Sequence, residues 1–311
     1  MTAPVIHTPA DAKPAPRNPG PSWGYGFLRL ADRVVPEFLY RPARAFGTWI
    51  ALLNMPAQRR HSRDYLRVVL GREPTRREVF RHFFTFQEAL MLRLRIANGR
   101  PHRGVLAREN AEEFQRFIAS GEPAFLGTFH FAHSDLTGFL FGGQEKRRVS
   151  IIRQRVGNSR DTELLGARFA DWVSFIWVNE TDNLLFALKD AVAEGRSIAL
   201  KCDRLEFSSK REAFHFLGAR RWFPFTLYHL ALIFKMPVRL TVGVPGANAR
   251  ETVVHASPPW RADASLSREQ NLATAREHFQ QFLTRIEALL HEHPQWWFNF
   301  IELNPAVDSS V

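Results

Sequence analysis

The segment Gly127 to Asp135, GTFHFAHSD, places an imidazole and a carboxylate five residues apart at the end of a short apolar run. An imidazole held by a carboxylate is a good general base at neutral pH, because the carboxylate fixes the tautomer and stabilises the imidazolium that forms. On one ideal helix five residues turn through about 500°, so His130 and Asp135 would not share a face. They meet if His130 leaves a strand end and Asp135 lies in the first turn of the helix that follows. No G-x-S-x-G elbow supplies a serine nucleophile. The one cysteine, Cys202, lies in an apolar run with no base beside it in sequence, and reads as a small buried residue. The pair would therefore deprotonate a substrate hydroxyl or amine directly. A rival reading makes His130, His133 and Asp135 metal ligands. Zinc-binding helices usually space two histidines at i and i+4, and this sequence has no such pair, so neither metal nor cofactor is expected.

The elements that must position these groups show as patterns. Apolar runs at 124–129, 149–152, 175–178, 198–202 and 238–244 alternate with helical patterns. That alternation predicts an α/β fold: one domain with a central, mostly parallel sheet flanked by helices. Residues 251–255 are expected as an edge strand. Thr75 with Glu78 predicts a capping box that opens a helix running to about Ala97, and Asn110 with Glu113 opens another that stops before Gly121. Thr181 reads as the cap of a helix carrying Leu184, Leu185, Leu188 and Val192 on one face. Residues 224–235 predict a helix, and 267–292 a long last one whose buried stripe includes Leu272, Phe279, Phe282 and Ile286. The resulting plan is a disordered Pro/Ala-rich tail at 1–22, an N-terminal helical, membrane-proximal region at 23–100, the α/β core at 101–304 and a flexible tail at 305–311.

Composition narrows the partners. The net charge is +11, which favours nucleic acid, anionic lipid or an acidic carrier protein. No zinc finger, RRM-like aromatic motif or clear helix-turn-helix is visible, so no nucleic acid is expected. Phe is overused, at 27 residues against 4 Tyr, which suits a dry core or a greasy tunnel. No signal peptide is visible, and no stretch approaches the roughly twenty apolar residues of a spanning helix. The nearest, 38–53, is interrupted by Arg41, Pro42 and Arg44. Trp23, Phe27, Leu30 and Val34 recur at helical spacing with Arg29 and Arg33 between them, either a cationic membrane-surface helix or a core-facing one. A single cysteine rules out an internal disulfide and fits a reducing compartment.

His130 and Asp135 match the His-x-x-x-x-Asp/Glu motif of glycerolipid and lysophospholipid-type acyltransferases. The later blocks resemble the late lipid A (lauroyl/myristoyl) acyltransferase family in their order. These are Ile151, Ile152 and Arg153; Leu200 to Asp203; Phe216, Leu217 and Gly218; Pro237 and Val238; and Pro294 to Trp297. The likeness spans roughly Trp23 to Glu302. Where the family often has Gly-Asn-Trp-Glu after the Phe of the first block, this chain has Ala132, His133, Ser134 and Asp135. Arg204 replaces a usual Gln.

The resemblance implies transfer of a fatty acyl chain from an acyl carrier protein or coenzyme A thioester to a hydroxyl of a lipid or glycolipid acceptor. His130 would take the acceptor proton and Asp135 would orient the ring. Arg153 and Arg155 are the candidates for oxyanion or donor binding, and Asp203 and Arg204 for acceptor binding or loop positioning. Lys146, Arg147 and Arg148 join the cations placed near the site in sequence. The expected location is the cytoplasmic face of the inner membrane, as a peripheral protein on an anionic surface. A lysophospholipid or an amino-acid lipid as acceptor is the alternative within the same chemistry. A basic membrane- or nucleic-acid-binding protein without catalysis is the alternative outside it.

Overall fold

The computed structural model describes residues 30, 32, 34, 35, 37–141, 147–155, 160–179, 183–206, 208 and 210–307. The segment 1–22, Trp23, Phe27, Arg29, Arg33, Lys146 and Thr181 lie outside the described residues. Three helices come first, α1 (Glu37–Asn54), α2 (Pro56–Leu70) and α3 (Arg76–Ala97). The capping box at Thr75 forms: its hydroxyl accepts from the Glu78 amide, and the Glu78 carboxylate accepts from the Thr75 amide at 2.7 Å. There follow β1 (Arg103–Leu106), α4 (Ala111–Ser120) and β2 (Phe125–Thr128). A 3-10 turn (Ser134–Leu136) leads into α5 (Thr137–Phe141), then β3 (Val149–Arg153), α6 (Arg160–Arg168), β4 (Val173–Trp177), α7 (Leu184–Ala193) and β5 (Ser197–Lys201). The hairpin β6 (Arg211–Phe216) and β7 (Ala219–Pro224) precedes α8 (Thr226–Phe234), β8 (Val238–Pro245), β9 (Glu251–Ala256) and α9 (Arg268–Glu292). A second 3-10 turn (Pro294–Trp296) starts the C-terminal segment.

The sheet order is β1-β9-β8-β2-β5-β3-β4. Strands β8, β2, β5, β3 and β4 are mutually parallel, which fits their near-continuous apolar runs under helices on both faces. Strand β9 runs antiparallel to β8 and pairs with β1 on its other side, so it is interior and β1 is the edge. The four-residue β1, RGVL, is too short to stand out as a pattern. The chain leaves β2 toward β3 on one side and leaves β5 toward β8 on the other. The carboxyl ends of β2 and β5 thus flank a topological switch point, the usual ligand crevice of an open α/β sheet.

Helices α2 and α3 are not a separate layer. Tyr65, Leu66, Val69, Val79 and Phe83 share one buried cluster with sheet residues such as Phe125 and Leu240 and with Phe279 of α9. Much of the surplus Phe packs here, Phe214 against Phe279 with centroids 4.7 Å apart and Phe216 edge-on to Phe223 at 5.3 Å. The Phe216 to Gly218 block is the turn of the β6–β7 hairpin, with Leu217 and Gly218 both left-handed at φ 50° and 73°. Such a turn matches the twist of a two-stranded ribbon.

Three expectations change in detail. Asn110 has φ 56° and makes no side-chain cap, and Glu113 instead pairs with the buried Arg239 of β8. The cap of α7 is Asn183, whose carbonyl accepts from the Leu185 and Phe186 amides at 3.2 and 3.3 Å. Residues 305–307, expected in a flexible tail, pair with β7 through Trp222 N–H to Pro305 O and Val307 N–H to Arg220 O.

Gly127 of β2 marks a close approach. A Cβ there would lie 2.4 Å from Leu240 Cδ2, 2.8 Å from Leu227 Cδ2 and 3.0 Å from Cys202 Sγ. Gly127→Ala is expected to overpack this contact and cost about 1–3 kcal/mol of stability, read as a lower Tm in thermal unfolding. An unchanged Tm would show that β2, β8 and α8 do not meet so tightly.

Candidate active site

Strands β2 and β5 are parallel neighbours, with Thr128 opposite Lys201. The Cys202 amide extends the pairing by donating to Thr128 O at 2.7 Å. His130 and Asp203 each follow their strand by two residues, so register brings them face to face. His130 Nδ1 lies 2.9 Å from Asp203 Oδ1, and the His130 amide donates to Oδ2 at 2.8 Å. The indole N–H of Trp297 donates to the same Oδ2 at 2.9 Å. The Asp203 side chain is 1% exposed and that of His130 28%.

Burial alone would push the Asp203 carboxyl up. The His130 ring, with Arg204 and Lys201, outweighs it and holds the carboxyl well below its usual range. Burial is also the main influence on His130 and lowers it from the ordinary 6.5, with Asp203 opposing and Arg204 adding to the fall. The ring is therefore neutral at pH 7. The carboxylate facing Nδ1 keeps the proton there, which leaves the lone pair on Nε2. No described residue bonds to Nε2.

Asp135, the expected partner of the ring, is engaged elsewhere. It lies in the 3-10 turn, where its carboxylate binds Arg93 of α3 and the Lys201 ammonium, the latter at 2.6 Å. Two full cations attract a carboxylate more strongly than a neutral imidazole does. Burial would raise the Asp135 carboxyl, but Lys201, Arg93 and Arg153 together hold it well below its usual range. Lys201 also donates to Phe129 O at 2.7 Å, fixing the backbone just before His130.

The other candidates divide. Arg153, at the carboxyl end of β3, is close enough to act on Asp135. The Arg204 guanidinium reaches Phe298 O at 3.5 Å and acts electrostatically on both members of the pair. Arg155 lies over the Trp177 ring at 4.5 Å, at the β4 edge of the sheet. Arg147 and Arg148 precede β3 and so sit at the opposite, amino edge. Arg147 is buried there on the Glu122 and Phe117 carbonyls, and Arg148 binds Glu194 O. Neighbourhood in sequence misplaced them, because a strand carries its two ends to opposite edges of the sheet.

Two details explain the neighbouring histidines and thiol. His133 Nδ1 and His102 Nε2 both bond to the Thr252 hydroxyl at 2.9 Å. Among the described residues no group of three His, Cys, Asp or Glu side chains is arranged to hold a metal. Cys202 is buried, and burial with the nearby Asp203 charge pushes its thiol up, the reverse of a reactive thiolate.

The C-terminal segment clamps the His130 loop. Phe298 N–H donates to His130 O at 2.8 Å and Ala132 N–H to Trp296 O at 2.7 Å. The clamp is held from behind by α2 and α3: Tyr65 donates to Pro294 O at 2.7 Å, and His82 Nε2 meets Trp297 O at 2.9 Å. Ala132 takes φ 36°, a strained value for a residue with a Cβ, between these anchors.

Arg93, Lys201 and the role of Trp297 escaped the sequence reading. Arg93 carried a signal, a charge inside the apolar stripe of its helix. Trp297→Phe is expected to lower stability by about 1.5–3 kcal/mol through loss of a bond to a carboxylate. It should also make Asp203 more basic and raise the pH at which His130 protonates. For a His130 that acts as general base, a ring that burial makes less basic than the ordinary 6.5, the acid limb of kcat/KM should move upward. A stability loss with an unmoved limb would leave Trp297 with packing alone.

No protein-family model matches the chain, and no curated protein matches it in sequence.

Proposed function

We propose that this chain is an acyltransferase that moves a fatty acyl group from a thioester to a hydroxyl of a lipid or glycolipid. The observation that carries the reading is the His130 ring fixed through Nδ1 by buried Asp203 at the switch point, its side chain 28% exposed and no described residue bonded to Nε2. The buried, raised Cys202 thiol leaves a substrate hydroxyl as the group to be deprotonated. The order of sequence blocks resembling late lipid A acyltransferases supports the same chemistry, with Asp203 in place of Asp135 beside the ring.

In this mechanism Nε2 takes the acceptor proton while Asp203 balances the imidazolium. The oxygen attacks the thioester carbonyl, and Arg153 is assigned to the oxyanion that develops. The C–S bond breaks, and the leaving thiolate recovers the proton from His130. Ester and free thiol are the products. Arg93, Arg153, Lys201 and Arg204 outnumber Asp135 and Asp203, which suits an acidic carrier protein or the phosphates of coenzyme A as donor. The site of action is the cytoplasmic face of the inner membrane, as a peripheral protein. Among the described helices none is long and apolar enough to cross a membrane.

Lipid profiling by mass spectrometry of cells with and without the protein tests this reading. One acylated lipid should disappear with the protein and stay absent when His130→Ala is supplied instead. A lysophospholipid or amino-acid lipid as that species would identify the acceptor. An unchanged lipid profile would contradict acyl transfer.

A further inference from the structure

Helix α1 has its polarity reversed. Its buried line is Tyr40, Arg44, Thr48 and Leu52, which faces α3. The Tyr40 hydroxyl meets Met91 Sδ at 3.5 Å, Thr48 donates to Gln87 Oε1 at 2.7 Å, and the Arg44 guanidinium lies over the Tyr40 and Phe84 rings. The outward side carries Phe38, Leu39, Phe46, Trp49, Ile50 and Leu53, between 46% and 74% exposed. A surface helix of a water-soluble protein shows the opposite arrangement. Contiguous apolar side chains on this scale mark a contact surface.

The rim of this face is basic. Arg41 is exposed on α1 itself. Arg59 of α2 donates to Leu52 O at 3.3 Å and is exposed beside Arg60. Trp49 packs on Phe80 at 6.2 Å, which puts the exposed Arg77 and Arg81 of α3 within one turn of the face.

We infer that the outer face of α1 seats in the surface of an anionic bilayer, with the helix lying in the membrane plane. Bulky Phe, Trp, Ile and Leu side chains bordered by arginines have the composition that partitions to such an interface. A symmetric contact with a second copy would bring the same arginine rims together, and like charges oppose it. The inference stands on α1 and its rim, without the acyl-transfer reading. Where that reading also holds, α3 links the two, because it carries α1 on one side and sends Arg93 to Asp135 on the other.

The test uses the full chain with vesicles of phosphatidylethanolamine and phosphatidylglycerol, and with phosphatidylcholine vesicles as the neutral control. The native protein should co-sediment with the anionic vesicles and far less with the neutral ones. Phe38→Gln/Phe46→Gln/Leu53→Gln should weaken that binding by about tenfold or more, with thermal unfolding little changed because these side chains are mostly exposed. If that variant does not fold, Arg59→Glu/Arg60→Glu reports on the rim and should also weaken binding. A fluorophore on Ile50→Cys, with Cys202 buried, should shift to the blue on anionic vesicles. Equal binding by native protein and both variants, or no binding by the native protein, would overturn the inference. So would a dimer in analytical ultracentrifugation that the triple variant abolishes while vesicle binding is unaltered.

Discussion

His130→Ala is expected to lower acyl transfer by about 10²–10⁴-fold, the range that general acid–base groups supply. The loss should fall on kcat more than on KM, because a general base acts on the proton in flight. The fold should survive the change. The His130 side chain is 28% exposed, and Asp203 keeps the donors from the His130 amide and the Trp297 indole after the ring is gone. Release of free thiol from an acyl thioester, followed together with the acylated lipid, measures both halves of the reaction. Native rates in the folded variant would remove His130 from the chemistry.

Asp203→Asn should be nearly as damaging, with a loss of about 10²–10⁴-fold, because its carboxylate sets which ring nitrogen holds the proton. Both carboxylate oxygens accept N–H donors: Oδ1 faces Nδ1, and Oδ2 faces the His130 amide and Trp297. An asparagine must turn its NH₂ toward one of them. If it faces Nδ1, that nitrogen must become the acceptor, the ring proton moves to Nε2, and the lone pair needed for catalysis disappears. If it faces the backbone and Trp297, two buried donors lose their acceptor. Asp135→Asn should do much less, since it weakens the ion pairs with Arg93 and Lys201 and leaves the ring's own hydrogen bond in place. The two variants, compared for turnover at equal folded fraction, separate the roles. A larger loss at Asp135 than at Asp203 would return Asp135 to the ring.

The sequence placed His130 at the end of an apolar run before a turn, and the structure has it two residues beyond β2. It did not reveal which carboxylate the ring would find. His130 and Asp135 are close along the chain, and short-range spacing favoured that pair. The contact with Asp203 spans 73 residues and depends on β2 and β5 being parallel neighbours in a particular register. Apolar runs announce strands without stating which two lie side by side. The register does explain the result afterwards: each residue stands two places beyond paired strand ends. The same limit misplaced Arg147 and Arg148, which are near Arg153 in sequence and at the other edge of the sheet in space. The hairpin β6–β7 was missed for a different reason. Its strands REAFHF and ARRWFP carry charges at several positions and a proline at one end, so no clean alternation appears. The capping box at Thr75 and the long α9 were legible because each is specified by neighbours a few residues apart.

The central claim is that His130 is neutral at pH 7, with its proton on Nδ1 toward Asp203 and a lone pair on Nε2. Two-dimensional ¹⁵N–¹H NMR of the imidazole nitrogens, assigned by difference with His130→Ala, observes that directly. The account predicts a protonated, hydrogen-bonded Nδ1 and an unprotonated Nε2, with Asp203→Asn but not Asp135→Asn altering the pattern. A ring that carries its proton on Nε2, or is doubly protonated at pH 7, would contradict it.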